Sequence, residues 1–206
     1  MVIDLTTLSP NQIYYTMMQT LIPRPIAWVL TKNKQETYNL APFSYFNGIS
    51  SDPPLVLLSI SKKDANTKKD TWINIEERDD FVIHIPDEAL AEKVNASSKN
   101  LPYGVSEIEE LGIELEFLDP KISYLPIIKK IKVAFICKKY QIIEIGNTPQ
   151  GLILGLVQYI YIDDSCITNK ENNKIFVDPM KMNPLARLGA STFSTLGKIL
   201  HIKRPK

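Results

Sequence analysis

The sequence predicts a mainly β fold, an antiparallel barrel decorated by helices, and three observations predict it. Short strand-like runs recur without the regular strand–helix–strand alternation of a parallel sheet. Two long ones, 131–145 and 152–162, flank Gly146-Asn147-Thr148-Pro149-Gln150-Gly151 and read as an antiparallel hairpin with an extended loop. The run 55–61 is apolar at almost every position, the mark of a central strand buried on both faces. The 206 residues suffice for one sizeable core and read as a single domain, 1–206.

Taken in order, Ser9-Pro10-Asn11-Gln12 opens a helix: serine caps, proline suits the first helical position, and Gln12 reaches back to the cap. Ile13, Met17 and Leu21 then share a face, and Pro23 stops the helix. Residues 26–31 form a buried strand, and 37–41 begin the next one after a polar turn. A hydrophilic loop, 62–69, follows the central strand and leads to a helix capped by Asp70 or Thr71, with Trp72, Ile73 and Ile75 facing inward. Residues 80–85 are a strand ended by Pro86. Asp87 caps a helix with Leu90, Ala91 and Val94 inside, and Ser106-Glu107-Ile108-Glu109 is a second capping box with Gly112 at its exit. Gly155, within the second long strand, marks a bulge or a close backbone approach.

Composition excludes several classes. With 44% apolar and 23% charged residues the chain is an ordinary globular one. A net charge of +1 argues against a nucleic-acid binder. No apolar run is long enough to span a bilayer, and the N-terminus lacks the features of a signal peptide, so no membrane partner is expected and the cytoplasm is the expected location. Cys137 and Cys166 fit neither a disulfide framework nor a metal site, and Cys137 reads as a small buried hydrophobe. His84 lies in a strand and His201 near the end, with no metal-ligand spacing and no metal expected.

Two stretches stand out. Residues 39–54 combine small and hydroxyl residues, two proline points and the rings of Phe43, Tyr45 and Phe46. That mixture suits either a wall against a flat, partly apolar ligand or a plain strand, bend and strand. Lys68-Lys69-Asp70-Thr71 places two ammonium groups before a helix start, which suits either a phosphate monoester or an ordinary charged loop. With no dinucleotide glycine loop and so few histidines, an enzyme built on this chain takes its hard chemistry from a cofactor.

In combination, Arg24-Pro25-Ile26-Ala27-Trp28-Val29, Asn39-Leu40-Ala41-Pro42-Phe43-Ser44-Tyr45-Phe46, Ser51-Asp52-Pro53-Pro54 and Lys69-Asp70-Thr71 with Asn74 resemble the flavin reductase-like, FMN-binding split-barrel family, which includes flavoredoxin-like members. Pro184-Leu185-Ala186-Arg187-Leu188-Gly189 with Leu196-Gly197 resembles that family's closing signature. The resemblance implies a Greek-key split barrel that forms a homodimer and holds FMN without a covalent bond. It places Asn39, Ala41, Pro42, Phe43 and Ser44 along the isoalloxazine or ribityl, Ser59 and Ile60 as neighbouring backbone, and Lys69, Asp70 and Thr71 at the phosphate. Trp28 and Thr31 are further contacts, with a core role for Trp28 equally open, and Arg187 reaches the cofactor or braces the dimer.

The implied activity is an oxidoreductase passing hydride from NADH or NADPH to flavin, and then electrons to free flavin, a redox protein or oxygen; no catalytic side chain is named. Three departures bear on nicotinamide use: Gln150 where many members have histidine, Gly155-Leu156-Val157 for a Gly-Glu-Val motif, and Gly189-Ala190 with Phe193 for paired glycines and a tyrosine. They keep two alternatives open: an FMN-bearing electron carrier docking through lysines such as Lys129, Lys130 and Lys132, and a barrel with no redox chemistry.

Overall fold

The computed structural model describes every residue except 65, 148, 149 and 206, so parts of the predicted 62–69 and 146–151 loops lie outside the described residues. Helix α1 (Pro10–Thr20) leads to strands β1 (Ala27–Lys32), β2 (Tyr38–Phe43), β3 (Phe46–Ser51) and β4 (Pro54–Ser61). Helix α2 (Asp70–Arg78), strand β5 (Asp80–Ile85), short helices α3 (Ala91–Ala96) and α4 (Glu107–Glu110), and the long strands β6 (Val133–Ile145) and β7 (Gln150–Ile162) follow. Seven strands form one sheet in the order β2-β1-β5-β6-β7-β4-β3, antiparallel at every pairing. The sheet curls but does not close. Its edge strands are β2 and β3, consecutive in the chain through the corner Ser44-Tyr45, and this is the split in the barrel.

The β1 run reads as continuously apolar because both its faces are covered. Ala27 and Val29 pack inside the barrel with Phe81, Ile83, Cys137, Ile153 and Trp72. Trp28 and Leu30 pack outside it with Val82, Ala134 and the residues around α3 and α4. The strand 55–61 is paired on both sides, by β7 and β3, but lies one place from the sheet edge rather than at its centre. Cys137 and Cys166 are free and buried, and burial pushes the Cys137 thiol well above the usual range.

Helix α1 has the predicted capping box but not the predicted packing. Ser9 N–H donates to Gln12 Oε1 at 2.9 Å, yet α1 buries none of its residues, and Met17 and Leu21 are exposed. Three other predicted caps are not made, because each polar group has a better partner. Asp70 pairs with Lys63 and Thr71 with Asn39, so the α2 N-cap position falls to Lys69 and has no side-chain cap. Asp87 pairs with Lys132 at 2.9 Å, and Ser106 Oγ donates to Tyr38 O at 2.6 Å. Gly112 does end α4, at φ +55°.

Gly155 sits at a register shift between β6 and β7, and a Cβ there would lie 2.5 Å from Phe81 Cζ, on a ring with no exposure. Overpacking of this kind costs about 1–3 kcal/mol, so Gly155→Ala is expected to lower the urea midpoint with an unchanged slope. An unshifted midpoint would mean that the ring gives way freely.

His84 is fully buried, its Nδ1 is 3.1 Å from Trp28 O, and its Nε2 accepts the Ile128 N–H at 3.1 Å. It therefore stitches β5 to β1 and to the 127–128 strand as a neutral ring, protonated on Nδ1. Burial pulls its pKa down from 6.5 to about 4. The unfolded chain takes up the proton below about pH 6.5 and the folded chain does not. The stability this ring contributes is thus full above that pH and is lost as pH falls toward 4, at about 1.4 kcal/mol per pH unit. Urea unfolding from pH 7.5 to 4.5 should show that slope, and His84→Gln should flatten it by about one proton; equal slopes would contradict it.

Candidate functional site

Two adjoining cavities run along the outer edge of β2. The smaller, about 80 Å³, is walled by Asn39, Ala41, Pro42 and Phe43, by Lys63 and Lys69-Asp70-Thr71, and by Glu107 with the 97–101 segment. The larger, about 220 Å³, shares Pro42, Phe43 and Ser98 with it and is completed by Tyr14, Met18, Ile26, Ser44, Val94, Asn95, Arg187 and Phe193. Together they form one groove.

The edge of β2 is available because its sequence prepares it. Pro42 has no N–H to leave unpaired on a free edge. The Leu40 N–H is taken by Glu107 Oε2 at 2.9 Å. Burial raises the Glu107 pKa, against the lowering effect of that hydrogen bond.

At one end of the groove, charge and backbone favour an anion. Lys63 is spent on Asp70 at 2.5 Å and on Leu101 O. Lys69 has no carboxylate partner among the described residues. Burial, and then the neighbouring Lys63, pull its pKa below the usual lysine range, and its ammonium lies 5.7 Å from the centre of the Phe43 ring. The α2 N-terminus beside it lacks a side-chain cap, leaving first-turn amide groups and the positive end of the helix dipole available.

A buried amide–hydroxyl network fixes that helix end. Asn39 Nδ2 donates to Thr71 Oγ1 at 2.9 Å and to Thr31 Oγ1 at 3.2 Å. Asn74 Nδ2 donates to Thr31 Oγ1 at 3.0 Å and to Asn33 Oδ1 at 2.8 Å, and Tyr103 OH donates to Asn74 Oδ1. The network locks α2 to β1 and β2, which an anion site at the helix terminus requires.

The other end is organised by two arginines. Arg24, 3% exposed, donates through Nε to Ser44 Oγ at 3.2 Å. Its remaining donors hold the carbonyls of Met18, Leu21 and Leu188, tying α1 and the closing segment to the corner after β2. Arg187 lies 4.3 Å from the centre of the Phe193 ring and donates to Ala190 O. Tyr14 meets Tyr45 edge-on at 6.2 Å.

Of the residues singled out in the sequence, Asn39, Ala41, Pro42, Phe43, Ser44, Lys69, Asp70, Thr71 and Arg187 line the groove. Four do not. Trp28 and Thr31 have no exposed surface and stand behind the wall: Trp28 Nε1 donates to Ser97 Oγ at 2.9 Å, and Thr31 is a hub of the amide network. Neither side chain lines either cavity. Ser59 and Ile60 line neither cavity; Ser59 N–H donates to Tyr45 O at the corner after β2, and its hydroxyl accepts from Gln150. Sequence reasoning missed Glu107 and the 97–101 segment. The hydroxyl-rich Ser97-Ser98 after an amphipathic helix was the available signal, whereas Glu107 was absorbed into a capping reading.

Comparison with known proteins gives a consistent result. Residues 18–172 match the family profile described as Flavin reductase like domain. The uncharacterized protein YwrF of Bacillus subtilis strain 168 is 34% identical over 202 residues, covering 96% of each chain. Among solved structures, nitrilotriacetate monooxygenase component B from Bacillus cereus superposes with a TM-score of 0.88 at 27% identity, covering 98% of both chains. The 2-nitrobenzoate 2-nitroreductase NbaA of Pseudomonas fluorescens superposes with a TM-score of 0.86 at 28% identity, covering 100% of this chain and 96% of that one. The sheet split between β2 and β3, the groove along β2 and these matches agree: the chain belongs to the flavin reductase-like family of split-barrel proteins.

Proposed function

We propose that the groove holds FMN without a covalent bond and that the protein is an oxidoreductase taking hydride from NADH or NADPH. The observation that carries this reading is Lys69, a half-buried ammonium with no described acid partner, set at an uncapped helix N-terminus. Three terms there favour a phosphate monoester: the ammonium, the free amide groups and the dipole. The Thr71 hydroxyl, fixed by Asn39, lies on the same wall. Phe43, Pro42 and the Ser44 corner offer the flat, part-apolar surface a ring needs, at the end away from the amide network. Bound flavin supplies the group that accepts hydride, so the chain needs no acid–base side chain of its own and its task is to orient and to exclude water.

The two solved structures named above, a monooxygenase component at 27% identity and a nitroreductase at 28%, support a redox role. Two of the three lysines suggested for docking a redox partner are neutralised: Lys129 pairs with Glu114 at 2.7 Å and Lys132 with Asp87 at 2.9 Å. That weakens the electron-carrier alternative, while Gln150, engaged with Ser59 where many relatives are expected to carry histidine, favours it. Free flavin, a redox protein or oxygen remains the acceptor class. The exposed Tyr15 and Met17 of α1 and Leu21 just after it support pairing of two copies as a homodimer, which sedimentation tests directly.

Anaerobic addition of NADH, then NADPH, to the FMN-loaded protein decides between the readings. Rapid bleaching of the yellow absorbance by either is expected; a flavin that stays oxidised with both makes the protein an electron carrier. Protein that never takes up FMN would be a barrel of another use.

A further inference from the structure

Among the described residues, the wall of the larger cavity contains one cation and no carboxylate: Arg187 lines it, and no Asp or Glu does. Arg187 is also held in place in advance. Its guanidinium is stacked on Phe193 at 4.3 Å and donates to Ala190 O, so little reorganisation accompanies the arrival of a negative charge. A second guanidinium, Arg24, is buried behind the same wall, and its hydrogen-bond partners are the Ser44 hydroxyl and three carbonyls, with no acid among them. Burial, and then the neighbouring Arg24, pull the Arg187 pKa down, against a smaller opposing effect of Tyr14. This end of the groove is electropositive and lacks only an anion.

We infer that Arg187 holds the negative charge that two-electron reduction leaves on a flavin ring bound along Pro42–Ser44. The inference rests on the proposed FMN site and adds what Arg187 does there. Hydride from a reduced nicotinamide delivers two electrons and one proton, and the nicotinamide leaves as its oxidised cation. The ring is then left with one negative charge unless water supplies a second proton. Beside Arg187 that second proton is not taken up, and the reduced cofactor is held more tightly than the oxidised one. Arg24 is a positioning residue, fixing Ser44 and the closing segment that carries Arg187.

The test is the reduction potential of bound FMN against pH, by dye equilibration of anaerobically photoreduced holoprotein, for wild type, R187Q and R187K. This readout needs no nicotinamide. In wild type, the pH at which uptake changes from two protons to one per two electrons is expected to lie about one unit below that of free FMN in the same buffers. R187Q should bring that pH back and lose about tenfold in preference for the reduced ring, or about 30 mV for a two-electron couple. R187K should keep most of both. R187Q that binds FMN with the wild-type potential and pH profile overturns the inference and leaves the FMN site standing. Wild type that binds no FMN overturns the functional reading and the inference with it. Should R187Q fail to fold, the wild-type profile decides: a change of slope at the pH of free FMN refutes the role, and a lower one upholds it.

Discussion

Replacing Lys69 by alanine weakens FMN binding about ten- to a hundredfold, the loss expected for one charge-assisted hydrogen bond worth roughly 1.5–3 kcal/mol. The same change leaves the FMN-free protein as stable as before or slightly more so. The Lys69 ammonium is desolvated by burial, repelled by Lys63 and matched by no described carboxylate, so in the free protein it is a cost. Fluorescence titration with FMN and thermal unfolding without it measure the two halves. Thr71→Ala behaves differently, because its hydroxyl accepts from Asn39 inside the buried network, so it should lose both affinity and about 1 kcal/mol of stability. Unchanged affinity in Lys69→Ala would return the 62–69 loop to ordinary surface.

The largest loss of stability is expected from Asn74→Ala. Asn74 is fully buried on α2, and its amide donates to Thr31 and Asn33 while accepting from Tyr103. Its removal leaves Thr31 and Asn33 short of a partner where water does not reach, and buried networks lose more than one bond when a hub goes. A cost of about 3 kcal/mol follows, equivalent to roughly 6–12 °C in Tm for a chain of this size. A change within 1 °C would show that the network contributes nothing. Because Asn74 touches neither cavity, its effect on FMN affinity should come only through the α2 terminus that it anchors.

Much of this was legible in the sequence because it depended on local signals. The Ser9–Gln12 capping box, the Gly112 exit, the long hairpin and the Gly155 bulge each rest on residues whose chemistry acts within a few positions. The β1 run was legible as buried, though only three dimensions show that Trp28 and Val29 serve two different cores. The groove was half legible. Proline, small residues and rings at 41–44, and lysines before a helix, mark a wall and an anion end. What the sequence hid are partnerships across the fold. Asp70, Asp87 and Ser106 look like helix caps and are instead taken by Lys63, Lys132 and Tyr38. Glu107 looks like part of a cap and instead covers the free edge of β2, 67 residues away in sequence. Thr31 and Trp28, further contacts by resemblance, stand buried behind the groove wall. Each of these turns on which partner is nearer in space, which spacing along the chain does not encode.

The claim on which the rest depends is that the Lys69 end of the groove grips a phosphate. Titrating the cofactor-free protein in parallel with FMN and with riboflavin, which differ only by that phosphate, tests it most directly. FMN is expected to bind at least about tenfold more tightly, and the difference to collapse in Lys69→Ala. Equal affinities for FMN and riboflavin would contradict it.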